Sequence, residues 1–84
     1  GMIYKWFEDE SFETEAMKIA EKLARLPTKG LGYTKRLLNR SFDNGLEEHL
    51  AEEAEVQAHA AATSDFKEGV NAFLEKRRPN FTGE

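Results

Sequence analysis

The chain contains two prolines, and each stands where a helical pattern of apolar residues has just run out. A proline keeps the residue before it out of the helical region, so Pro27 and Pro79 fix where two helices must stop. Upstream of Pro27, the residues Phe12, Ala16, Ile19, Leu23 and Leu26 recur at helical spacing, with Glu13, Lys18, Glu21, Lys22 and Arg25 mostly on the other side. This predicts a first helix over residues 11–26. Thr28 can then cap a second one, "KGLGYTKRLLNR", which sets Leu31, Thr34 and Leu38 against Lys29, Arg36 and Arg40. Gly30 and Gly32 each weaken that helix by roughly 1 kcal/mol relative to alanine, unless they permit close backbone packing. The turn "SFDNG" leads to a third helix over 45–62, with Asn44 as its cap, Glu47 as the reciprocal capping partner, and Leu46, Leu50, Ala54 and Ala61 as its stripe. Glu53 and Gln57 project from the middle of this helix and must find partners or stay wet. Asp65, with Glu68 three positions on, reads as the cap of a fourth helix whose apolar face is Phe66, Val70, Phe73 and Leu74. The opening "GMIYKWF" reads as a short extended strand, which has no ladder partner in a helical domain. The expected class is therefore all-α: four helices behind a short extended N-terminal segment.

Such a chain has little to stabilise it. At 84 residues it buries a smaller share of its surface than an average domain, and without cysteine it has neither disulfides nor a thiolate metal site. Partner chains remain as the source of stability. The missing cysteines fit a reducing, cytoplasmic setting, and no apolar run approaches the length of a bilayer span. Sixteen acidic residues oppose twelve basic ones, a balance that disfavours phosphate backbones. Locally the charges segregate. Lys29, Lys35, Arg36 and Arg40 share a stretch without acids, while Glu47, Glu48, Glu52, Glu53 and Glu55 share one without Lys or Arg. Complementary faces of two neighbouring helices account for this. A helix-turn-helix does not, because its recognition helix would carry those glutamates into the major groove. No nucleic-acid or membrane partner is expected.

Little in the chain carries chemistry. His49 and His59 lie ten residues apart on one predicted helix, too far to share an ion, and they read as surface histidines rather than metal ligands. There is no phosphate-binding loop and no nucleophile elbow, so no catalytic residue is assigned. At the end of the fourth helix, Lys76, Arg77 and Arg78 suit the negative end of the helix dipole. That does not explain Phe73 and Phe81 on either side of them.

Residues 64–83, "SDFKEGVNAFLEKRRPNFTG", resemble the C-terminal signature of the enoyl-CoA hydratase/isomerase (crotonase) superfamily: an S-x-D-like cap, then E-G-V/M, A-F and E-K-R-x-P-x-F. "LPTKGLGYTKRLLN" is similar to the family's proline-started helix, with Gly30 where alanine is usual, and "GMIYK" to the strand that ends its core. Together with "LEEHLAEEAEVQ" these details look most like the branch acting on ring-activated phenylacetyl-CoA. The resemblance implies that residues 1–8 end a core lying upstream, and that 9–84 form a C-terminal helical domain serving oligomerisation and the CoA pocket. The oxyanion-hole donors and acid/base carboxylates would then be upstream as well. It also implies that Phe73 and Lys76 approach bound CoA, that acyl-CoA is a substrate with no further cofactor, and that the enzyme is a homo-oligomer. A self-contained helical interaction module is the alternative.

Overall fold

The computed structural model describes all 84 residues. Four helices follow in order: α1 (Phe12–Ala24), α2 (Thr28–Arg40), α3 (Leu46–Ala61) and α4 (Ser64–Leu74), and there is no strand. The all-α expectation holds. The expected strand does not form: residues 1–7 are irregular, and the Lys5 ammonium lies 5.1 Å from the centre of the Phe7 ring. An extended segment becomes a strand only when a second one satisfies its N–H and C=O groups, and the rest of the chain is helical.

Pro27 acts from both sides. Before it, α1 tightens as the N–H of Leu26 donates to the Leu23 carbonyl at 3.1 Å. After it, the Pro27 carbonyl accepts from Leu31 N–H at 3.0 Å, so Pro27 and not Thr28 is the N-cap of α2. The other two expected caps are also displaced by one or two residues. Gly45 caps α3, which frees Asn44 to donate its side-chain amide to Glu52 at 2.9 Å. Thr63 caps α4, its hydroxyl oxygen accepting from Phe66 N–H at 3.1 Å. That leaves Asp65 and Glu68 available for the tail.

α2 and α3 pack side by side and α3 meets α4, whereas α1 makes only marginal contact with the other helices. The α2–α3 seam carries the anticipated charge complementarity. Glu52 receives Arg36 at 3.1 Å and Arg40 at 3.5 Å. Its carboxyl is held below the usual range by the hydrogen bond from Asn44 first, then by the two guanidinium groups, against the opposing effect of partial burial. Gly30 and Gly32 have open space where a Cβ would project, so close backbone packing is not their role.

The buried faces are not the predicted ones. Val56, Asp65 and Ala72 are the only buried residues. α3 turns His49, Glu52, Val56 and Ala60 inward, while Leu46 on the expected stripe is 76% exposed. α4 packs through Asp65, Gly69 and Ala72, leaving Phe66, Val70, Phe73 and Leu74 largely uncovered. The shape agrees. A radius of gyration of 16.1 Å exceeds the roughly 12 Å of a compact chain of this length, and the accessible surface of 7303 Å² exceeds the roughly 5100 Å² of a compact monomer of equal mass.

Candidate functional site: an apolar groove beside the last helix

α4 ends in a Schellman arrangement. Arg77 N–H donates to the Ala72 carbonyl at 3.0 Å and Lys76 N–H to the Phe73 carbonyl at 3.2 Å. Lys76 closes this turn at φ +54°, a left-handed position usually given to glycine. The reversal sends residues 77–84 back along α4. Asn80 N–H reaches Glu68 at 2.8 Å, the Phe81 ring lies over Gly69, and the N–H groups of Thr82 and Gly83 reach Asp65 at 2.7 and 2.9 Å. A Cβ on Gly69 would stand 3.6 Å from the Phe81 ring, an ordinary contact, so the aromatic packs on this part of the helix without requiring a glycine there.

Between α4, the tail and the start of α2 lies an open groove of about 430 Å³. Its walls are apolar: Phe66, Val70, Phe73 and Leu74 from α4, Phe81 from the tail, and Pro27. Lys29 brings an ammonium to the α2 side and makes no ion pair within the chain. Phe73, a residue singled out by the sequence, thus lines the groove at 82% exposure. Lys76 does not line it; it stands one turn beyond Phe73, exposed at the helix end. Lys29, Phe66 and Asp65 were not anticipated here. Phe81, which the helix dipole leaves unexplained, is the usable signal: its ring lies over Gly69 of α4.

Glu68 clamps the turn. Arg77 forks onto it at 2.6 and 2.9 Å and also donates to Glu75 at 2.6 Å. The Arg77 hydrogen bonds, then the Asn80 amide, pull the Glu68 carboxyl from 4.5 down to about 2, opposed by partial burial. A depressed carboxyl pKa stabilises the fold above its unfolded value, and that contribution is lost as pH falls through the folded one. The clamp should therefore hold at pH 4.5 and fail only as pH approaches 2. A carbon-13 NMR titration of the Glu68 side chain checks this, and a midpoint near 4.5 would contradict it.

A second cleft, between α2 and α3, measures about 530 Å³ and is lined by Tyr33, Leu37, His49, Glu53 and Val56 among others. His59 is exposed as expected, its ring 6.4 Å from that of Tyr33. His49 is not simply a surface residue. It shares the α2-facing side of α3 with Val56, and its Nδ1 is buried without a hydrogen-bond partner. Glu53 and Gln57 stay exposed, the wet alternative of the two left open for them. No three His, Asp or Glu side chains converge as a metal site would require. The groove beside α4 combines an apolar and aromatic wall with one cation, Lys29, at its margin.

A family model described as enoyl-CoA hydratase/isomerase matches residues 1–84. The chain belongs to the enoyl-CoA hydratase/isomerase family. It is 42% identical, over its whole length, to 1,2-epoxyphenylacetyl-CoA isomerase of Escherichia coli, and 40% identical over 99% of its length to a probable enoyl-CoA hydratase of Rhodobacter capsulatus. In both cases it spans 32% of the relative. Among solved structures, an enoyl-CoA hydratase of Geobacillus kaustophilus superposes with a TM-score of 0.88 at 31% identity, covering 93% of this chain and 30% of that one.

Proposed function

We propose that this chain is the C-terminal segment of a longer enoyl-CoA hydratase or isomerase acting on acyl-CoA thioesters, in which it supplies part of the CoA pocket and of the contact between subunits. The observation that carries this reading is the outward turn of the strongest apolar stripes, Leu46–Leu50 on α3 and Phe66–Val70–Phe73 on α4. A chain folding for itself would bury them. Residues 1–8 would then complete a core that precedes them, and 9–84 would form the helical domain. Phe73 offers a flat apolar wall to the nucleotide or pantetheine, and Lys76 a flexible charge to a phosphate. Identity to the Escherichia coli isomerase favours an aromatic acyl-CoA of the phenylacetyl type as substrate.

Reading the coding sequence upstream of Gly1 tests the proposal at its root. An open frame encoding a glycine-rich oxyanion segment is expected, whereas a natural start at Met2 would contradict it and favour a self-contained helical module. The backbone at Lys76 gives a second test. A left-handed residue with a Cβ costs roughly 1–2 kcal/mol, a strain that persists only where something compensates for it. Lys76→Gly should stabilise the domain by about 1 kcal/mol in urea melts while raising the enzyme's KM for acyl-CoA. A gain in stability with KM unchanged would remove Lys76 from the pocket.

A further inference from the structure

Asp65 is the one buried charged residue, 3% exposed, and no cation neutralises it. Its two oxygens are instead shared between the backbone amides of the tail. Oδ1 accepts from Thr82 N–H at 2.7 Å and, more weakly, from the Thr82 hydroxyl at 3.5 Å, while Oδ2 accepts from Gly83 N–H at 2.9 Å. The N–H of Asp65 donates in turn to the Glu84 carbonyl oxygen at 2.9 Å. Gly83 takes φ +81°, and a Cβ placed there would stand 2.6 Å from Thr28 Oγ1, so the tail passes against the start of α2 through a position that suits only glycine. Two residues before Gly83, Phe81 settles on Gly69 and becomes a wall of the groove.

We propose that Asp65 is a positioning residue of the groove: by capturing the Thr82 and Gly83 amides it folds the tail along α4 and sets Phe81 in place as the wall on which an acyl-CoA ligand rests. An ionised carboxylate suits this task because it is acceptor-only and can take an N–H on each oxygen. Asparagine, its isostere, would turn an amide N–H toward one of those donors. Asp65 need not touch the ligand. Glu68, which holds Arg77 and the Asn80 amide, secures the turn before the tail in the same way. The ligand half of this proposal rests on the CoA-pocket reading; the tail half does not.

The test uses the full-length enzyme with Asp65→Asn, and Gly83→Ala as a second variant that attacks the same contact from the tail. Hydrogen exchange followed by mass spectrometry reports on residues 80–84, and steady-state kinetics report on the acyl-CoA. Both variants are expected to speed exchange in that segment at least about tenfold and to raise KM more than they lower kcat. The double variant should be little worse than either single one, since both break one contact. Unchanged exchange at 80–84 in Asp65→Asn would overturn the tail half, whatever the ligand. Faster exchange with KM unmoved, in an enzyme whose KM does respond to Phe73→Ala, would overturn the role of Asp65 and leave the pocket reading standing. If Phe73→Ala also leaves KM unmoved, the ligand half falls together with that reading.

Discussion

Incubated with an enoyl-CoA, the purified 84-residue chain should hydrate or isomerise it no faster than buffer does. Catalysis on a thioester needs donors aimed at the developing oxyanion, which are commonly worth 10²–10³-fold each, and an acid or base within hydrogen-bond reach of the reacting carbon. The groove offers neither. Its two charged residues are Lys29 and Asp65, and the Asp65 carboxylate is already committed to Thr82 and Gly83. Outside the groove, Glu52 is engaged by Arg36 and Arg40, and Glu68 by Arg77. A sensitive assay of free CoA esters by chromatography checks this. Turnover that survives repurification and disappears on substituting a residue of this chain would overturn the division of labour proposed above.

The same chain should not stay monomeric. Its surface exceeds that of a compact protein of equal mass by about 2200 Å², an area in the range of stable subunit contacts. The excess includes Leu46, Leu50, Phe66, Phe73 and Leu74, all more than half exposed. Each Phe or Leu covered gains roughly 1.5–3 kcal/mol, so a few per subunit offset the entropy lost on association. Sedimentation equilibrium should show a dimer or larger species at micromolar concentration. A monomer mass up to about 100 µM, where an association of only about −5.5 kcal/mol would begin to appear, would contradict this. Phe73→Asp should weaken the oligomer if α4 is the contact. If it leaves the mass unchanged while removal of residues 1–7 abolishes association, the N-terminal segment is the contact instead.

The course of the helices was legible in the sequence because it depends on local rules: spacing at 3.6 residues, Pro27, and the turn at 41–45; α4, however, ends at the left-handed turn of Lys76, before Pro79 is reached. The faces they bury were not. Hydrophobic periodicity identifies the side of a helix that avoids water without saying whose surface covers it. In α3 and α4 the strongest stripes face away from the other helices, and the internal contacts fall on Val56, Ala72 and Asp65. The caps failed for a narrower reason. Thr63 and Asp65 are both capping residues two positions apart, and only the backbone decides between them. With Thr63 as the cap, the Asp65 carboxylate is left to accept from the tail amides. The strand expected at the N-terminus lacked a partner for its backbone groups, which no local signal could supply. Of the two residues singled out for the pocket, Phe73 lies in the groove, while Lys76 stands beyond it, at the left-handed turn that starts the tail on its return.

The most direct measurement of the central claim is the KM of the full-length enzyme for its acyl-CoA with Phe73→Ala and Lys76→Ala, singly and together. If the last helix borders the CoA pocket, each substitution removes binding that substrate and transition state share, so KM rises while kcat changes less. The double variant should show at least about a tenfold increase, equivalent to about 1.4 kcal/mol of binding. KM values within twofold of the unsubstituted enzyme, from variants that elute and melt as it does, would contradict the assignment of this helix to the ligand.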